Sequence, residues 1–155
     1  MKHTVALGAD PSGFKLKNAI KTAIENEGHT VLDLCADGPM EYSAAACAVS
    51  RAVQSGEADR GIAMCGTGMG VSIVCNKHRG VYAALCRDVW DAVRSVTINN
   101  TNVLCLGGMI TGEYLGCKIA SEWLNAEHTD GLTPERAAMA IEEAGRLREL
   151  ENELY

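Results

Sequence analysis

The chain is poor in aromatic residues: one Phe, two Trp and four Tyr, 5% of 155 positions. That is too few for the stacking platforms of single-stranded nucleic-acid binders. It also lacks a cationic surplus, since 14 Lys and Arg stand against 20 Asp and Glu for a net charge of −6. A polyanion as principal partner is therefore disfavoured, although a local site can still be positive on an acidic protein. No apolar run approaches the ~18 residues of a membrane span, so no membrane partner is expected. The opening Met1-Lys2-His3-Thr4-Val5 passes straight into a strand pattern with no apolar leader core, which predicts a cytoplasmic protein. No two of the seven cysteines (35, 47, 65, 75, 86, 105 and 117) are separated by only two residues, so a C-x-x-C redox pair and a zinc knuckle are both absent. Apolar neighbours mark six of them as small buried hydrophobes. Cys65 stands apart.

What is present is an ordinary globular composition, 47% apolar and 22% charged. The length suits one domain that buries roughly two-thirds of its unfolded surface. Short apolar strands at 4–9, 29–35, 60–65, 81–86 and 102–106 alternate with helical stripes. The first stripe is Phe14, Leu16, Ala19, Ile20, Ala23 and Ile24, stopped by Gly28. Ala45, Ala48, Val49, Ala52 and Val53 form a second, ended by Gly56. Further helices are expected through Val71, Val74 and Cys75, over 89–97, and over 113–125. This alternation predicts an α/β doubly wound domain, a five-stranded parallel sheet with helices on both faces. Residues 1–132 form that domain. Thr133-Pro134 then opens a C-terminal helix over 133–155, with Thr as N-cap and Pro at the first helical position. Ala140, Ala144, Leu147, Leu150 and Leu154 line one side of it, a stripe suited to a neighbouring subunit or to the helix's own domain.

In open parallel sheets, ligands bind beyond the carboxyl ends of the strands. Those ends carry Asp10, Cys65 with Gly66-Thr67-Gly68-Met69-Gly70, Arg87-Asp88 and Gly107-Gly108. Three glycines in five residues, entering a helix, let main-chain amides converge on an anion or a developing oxyanion. The loop is not a Walker A loop, because no Gly-Lys-Ser/Thr follows. It is not a G-x-G-x-x-G fingerprint either, because the third glycine comes one position early. A phosphatase-like loop would need arginine at position 71, which is Val. A base or nucleophile role remains for the Cys65 sulfur. None of His3, His29, His78 or His128 is placed to activate it, and all four read as surface or structural.

Asp10-Pro11-Ser12-Gly13-Phe14, Gly56-Glu57-Ala58-Asp59-Arg60-Gly61, Cys65-Gly66-Thr67-Gly68-Met69-Gly70, Asn76-Lys77 and Asn99-x-x-Asn102-Val103-Leu104 resemble the ribose-5-phosphate isomerase B and galactose-6-phosphate isomerase (LacA/LacB) family. The likeness runs in order over about residues 3–127. It implies a Rossmann-like domain forming a homodimer or homotetramer with active sites shared between subunits. It also implies an aldose–ketose isomerisation of a sugar phosphate that needs no metal or cofactor. By that resemblance Cys65 moves a proton between C1 and C2 through a cis-enediolate, and the amides of Gly66, Gly68 and Gly70 hold the enediolate oxygen. Thr67 and Asp10 would hydrogen-bond substrate hydroxyls, with Tyr42 and Asn99 as further contacts. A carbon acid next to a carbonyl needs such a positioned base.

The departures bear on the substrate. Where members of the family usually carry histidines for phosphate binding and ring opening, this chain has Pro11 and Ile98. Of two arginines expected near the C-terminal glycines, the first aligns with Leu132 and only Arg136 remains; a strand arginine is replaced by Tyr82. Neither Leu nor Tyr can imitate a guanidinium's bidentate grip on phosphate. Arg87 offers replacement charge, or is an exposed turn residue. Three readings follow: an isomerase for a substrate needing no ring opening, such as a four-carbon ketose phosphate; a LacB-like subunit completed by a paralogous partner chain; or a non-catalytic sugar or sugar-phosphate binder. Persistence of Cys65, Thr67 and the glycine loop favours the isomerase.

Overall fold

The computed structural model describes all 155 residues. In chain order the elements are β1 (Thr4–Ala9), α1 (Phe14–Asn26), β2 (Thr30–Asp33), α2 (Tyr42–Gln54), β3 (Arg60–Cys65), α3 (Met69–Cys75), β4 (Ala83–Leu85), α4 (Val89–Thr97), β5 (Val103–Gly107), α5 (Glu113–Asn125) and α6 (Pro134–Leu154). The five strands are parallel in the order β2-β1-β3-β5-β4. The expected α/β architecture is borne out. The strand order reverses between β1 and β3, which places the ends of these two strands, Asp10 and Cys65, at the crevice where such sheets bind ligands. No helix is long and apolar enough to cross a membrane.

Each face of the sheet has its own core. On one, Leu16, Ile20 and Ile24 of α1 join Ala92 and Val96 of α4 and Ile119, Ala120 and Trp123 of α5 over Val5, Leu7, Ile62, Met64, Leu104 and Leu106. On the other, Ala46, Val49 and Ala52 of α2 and Val71 and Cys75 of α3 cover Ala6, Ala63, Cys65, Val103 and Cys105. Small residues on this second face let α2 lie close: a Cβ on Gly8 or Gly61 would fall 2.9 or 2.5 Å from a Val49 methyl. Cys35, Cys75, Cys86 and Cys105 are buried as expected, whereas Cys47 and Cys117 are only half-buried; Cys65, set apart in the sequence, is buried too, and all seven are free thiols.

Two strands are shorter than their apolar runs. The expected 29–35 run keeps ladder pairing only to Asp33, whose Oδ1 accepts from the Cys35 amide at 3.2 Å and turns the chain. The run 81–86 pairs only over Ala83–Leu85, because the Val81 amide donates to the His78 carbonyl and the Tyr82 amide to the Asn102 side chain. Asp33 also takes both Lys17 (2.9 and 2.8 Å) and Lys21 (3.1 Å), so the almost fully buried Lys17 is paired. Burial alone would raise the Asp33 carboxyl; the two ammonium groups outweigh it and hold it below the usual range.

The C-terminal helix leans on its own chain at one end. Glu151 accepts from the Gly80 amide at 2.8 Å and from the Tyr82 hydroxyl at 3.3 Å, and Ala140 is buried. Met139, Ile141, Leu147, Leu150 and Leu154 remain exposed.

At the amino end of the sheet His3 and His29 stack, ring centroids 5.8 Å apart and nearly parallel. The His3 amide donates to His29 Nδ1 at 3.2 Å, while the buried His29 Nε2 has no partner. Burial, together with nearby cations, pushes both rings below the ordinary imidazole value. The unfolded chain therefore takes up these protons first, so the stability contributed by the neutral pair is full above about pH 6.5 and is lost as pH falls below it. Melting temperature is expected to decline between pH 7.5 and 5.5, with a shallower slope in His29→Gln.

Candidate active site at the strand ends

Three glycine-bearing loops meet beyond β1, β3 and β5. The Asp10 amide donates to the Met64 carbonyl at 3.1 Å, which seats Asp10 beside Cys65. Its Oδ1 accepts from the Ser12 and Gly13 amides, both at 2.9 Å. That fixes one carboxylate oxygen in an Asx turn and leaves Oδ2 for a ligand. The Cys65 carbonyl accepts from the Gly108 amide at 2.8 Å and the Gly66 carbonyl from the Met109 amide at 2.9 Å, so the β5 loop clamps the β3 loop.

The clamp requires backbone against backbone. A Cβ on Gly107 would lie 2.6 Å from the Thr67 carbonyl carbon, one on Gly108 2.2 Å from the Ser12 oxygen, and one on Gly13 2.8 Å from the Met64 carbonyl carbon. Gly68 has φ +78°, a left-handed turn that aims its amide inward. That amide donates to Cys65 Sγ at 3.2 Å. Cys65 is 6% exposed and lies almost wholly covered beneath the loop. Thr67 is exposed on the rim, its Oγ1 accepting from the Met69 amide at 3.3 Å. Tyr42, at the start of α2, lies over Gly70: an added Cβ there would be 2.9 Å from the ring.

Six of the expected residues thus gather around Cys65: Asp10, Gly66, Thr67, Gly68, Gly70 and Tyr42. Asn99 and Arg136 do not. The chain re-enters the sheet where the Gly61 amide donates to the Asn102 carbonyl, four ladder positions from Cys65 and so roughly 13 Å away along the strand. Asn99 lies at this amino end, in a hollow of about 390 Å³ shared with Ile98, Leu132, Arg136, Met139 and Leu147. Asn76 and Asn102 prove to be fasteners. Asn76 takes both the amide and the carbonyl of Ala83 (2.9 Å each), and Asn102 takes the Tyr82 amide and the Gly80 carbonyl. Arg87 is exposed beyond β4. Sequence reasoning missed Met109, whose sulfur would stand 3.1 Å from a Cβ on Gly66; its only signal was its place after the glycine pair.

The ribose/galactose isomerase family model matches residues 5–140. A 4-deoxy-4-sulfo-D-erythrose isomerase of Clostridium sp. (strain MSTE9) is 40% identical over 131 residues, covering 83% of this chain and 82% of the relative. A D-erythrulose-4-phosphate isomerase of Pectobacterium atrosepticum is 38% identical over 131 residues, 83% of this chain and 86% of that one. The solved ribose-5-phosphate isomerase B of Clostridium thermocellum superposes with TM-score 0.87 at 35% identity, covering 98% of this chain and 99% of its own. The chain belongs to the ribose/galactose isomerase family. The expected isomerase class and sheet architecture are both borne out.

In this isomerase the cradle depends on Gly68. Alanine there must adopt the left-handed conformation and push against Leu85 Cδ1 at 2.5 Å and the Leu106 carbonyl carbon at 2.9 Å. Gly68→Ala is expected to destabilise by about 2–4 kcal/mol in urea unfolding, strain and overpacking combined.

Proposed function

We propose that the chain interconverts a four-carbon aldose and ketose bearing a terminal anion, with the Cys65 thiolate as the base. The observation that carries the reading is the Gly68 amide on Cys65 Sγ, with Asp10 fixed beside it. Cys65 removes the proton from C2 of the aldose. The electron pair moves toward the carbonyl oxygen as a cis-enediolate, and the proton returns to C1. Loop amides from Gly66 to Gly70 stabilise the oxygen charge, while Asp10 Oδ2 and Thr67 Oγ1 hold and exchange hydroxyl protons. None of these steps requires a metal or cofactor.

The four-carbon choice rests on Ile98 and Pro11 standing where the family resemblance leads one to expect histidines. A four-carbon aldose with phosphate or sulfonate at C4 has no free hydroxyl with which to close a five-membered ring, so no ring needs opening. The two relatives described above are named for four-carbon substrates of this kind.

Because Asn99 and Arg136 lie at the far end of the sheet, we infer that a second copy of the chain brings them to Cys65, in a homodimer. The exposed apolar side of α6 supports such a contact. We place the assembly in the cytoplasm, with no nucleic-acid partner.

In deuterated water, D-erythrulose 4-phosphate is expected to gain solvent deuterium at its C1. Cys65→Ala should slow exchange by about a thousandfold or more. Exchange that survives the substitution removes Cys65 as the base. The kcat/KM for the four-carbon substrate should exceed that for ribose 5-phosphate by about tenfold or more, a difference of at least ~1.4 kcal/mol in transition-state binding. Mixing and reassociating Cys65→Ala with Asn99→Ala chains should restore about a quarter of the wild-type rate, since random two-fold pairing rebuilds one intact site in half of the dimers. No recovery despite subunit exchange would show that sites are not shared between identical chains.

A further inference from the structure

Trp90, Arg94 and Thr97 lie at i, i+4 and i+7 on α4, hence on one side of the helix. They face Glu122 and Asn125 at the end of α5 and Asp130 in the following loop, around a hollow of about 330 Å³. It is separate from the cradle at Cys65 and from the hollow that holds Asn99.

The six residues are prepared for a ligand in different ways. The Arg94 guanidinium lies over the Trp90 indole, 4.3 Å from the ring centroid, with no carboxylate in ion-pair range. Stacking holds its plane and leaves its donors unspent, a pre-organised fork for an oxyanion. Thr97 is 1% exposed, yet its Oγ1 has no hydrogen-bond partner, although buried hydroxyls normally have one. Trp90 is 66% exposed, an unusual position for an indole. Glu122 is already neutralised by Lys118 at 2.6 Å, and Asp130 Oδ2 accepts from the Glu127 amide at 3.1 Å. Both carboxylates can still accept further hydrogen bonds. The loop is held in place by Thr129, in the left-handed region at φ 76°, whose amide donates to the Thr97 carbonyl at 2.9 Å.

We propose that this hollow is a second ligand site, which takes a sugar phosphate in its ring form. A bare anion would use Arg94 but leave the indole and the two carboxylates without a role. An uncharged sugar would use the indole and carboxylates but not the guanidinium. A cyclic sugar phosphate uses all of them. Its phosphate meets Arg94, the C–H face of the ring lies on Trp90, and ring hydroxyls reach Glu122, Asp130 and Asn125. The site also differs in kind from the Cys65 centre, which on the proposed function takes an open-chain substrate.

The test is binding to Cys65→Ala protein, so that turnover is absent. Tryptophan emission and calorimetry are followed as D-glucose 6-phosphate, inorganic phosphate or D-glucose is added. Trp123 is fully buried, so the emission change reports on Trp90. Glucose 6-phosphate should saturate the signal below about 10 mM, with phosphate and glucose each about tenfold weaker or worse. Adding Arg94→Gln should weaken the sugar phosphate by about tenfold, the loss expected for one charge-assisted hydrogen-bond pair. By calorimetry, Trp90→Leu, which removes the exposed indole face, should weaken it to a smaller but measurable extent. In a chain with Cys65 intact, Arg94→Gln should leave isomerase kcat/KM within about twofold. No saturation, phosphate binding as tightly as the sugar phosphate, or affinity unchanged by both substitutions would overturn the proposal. So would loss of isomerase activity in Arg94→Gln, which would assign the residue to the catalytic centre. Binding that persists in an inactive protein would uphold this site even if the proposed isomerase substrate proved wrong.

Discussion

The strand-end crevice depends on one constraint: the β1, β3 and β5 loops touch main chain to main chain. At Gly13, Gly107 and Gly108 a single carbon more would collide with a neighbouring backbone at 2.2–2.8 Å. Backbone cannot give way as a flexible side chain can, so these positions fix the distances between loops. Once they are fixed, the Gly108 and Met109 amides reach the Cys65 and Gly66 carbonyls, and the left-handed Gly68 turns its own amide to the sulfur. The hydrogen-bond cradle follows from the close approach. The small residues under α2 carry the same logic one layer deeper, where Gly8 and Gly61 bring Val49 onto the sheet.

The topology then limits what one chain can assemble. In a parallel sheet each crossover helix starts at the carboxyl end and returns to the amino end. Residues that follow a strand, such as Asp10 and Thr67, can share a site with Cys65. Residues that follow a helix, such as Ile98 and Asn99, emerge at the opposite end. The hollow there has a largely apolar wall, a single cation in Arg136 and one carboxylate, Glu143, which pairs with Arg146. A second copy placing this end against the Cys65 crevice would bring the two halves together. The exposed stripe on α6, which shares Met139 and Leu147 with that hollow, is continuous with such an interface.

Much of this was legible in the residues. Continuous apolar runs of five or six residues marked buried strands, and the 3.6-residue stripes of α1 and α5 marked their inner faces. Strand ends were less legible: Asp33 and Asn102 capture amides with side chains, and no hydrophobicity pattern shows that. The cradle could be placed because glycines after a strand have few other uses. The separation of Asn99 and Arg136 from Cys65 required the strand register. The Trp90–Arg94–Thr97 stripe is visible at helical spacing, but an unpartnered hydroxyl is a fact of packing that spacing cannot reveal. Asn76 and Asn102, read for their likeness to a family motif, hold β4 in place instead. A motif residue can mark a fold as readily as a reaction.

On the proposed function, substrate length and the make-up of the amino-end hollow are linked. A sugar that cyclises presents a ring oxygen, which must be protonated and released before any proton can leave C2. That work needs an acid; Ile98, Leu132 and Leu147 supply none, and the hollow's one carboxylate, Glu143, is paired with Arg146. An open-chain substrate needs only a surface that excludes water and a cation for its charged end. Excluding water strengthens the amide contacts to the enediolate oxygen, because they act in a medium of lower dielectric. Apolar residues that would disable a ring-opening site therefore favour the proton transfer itself.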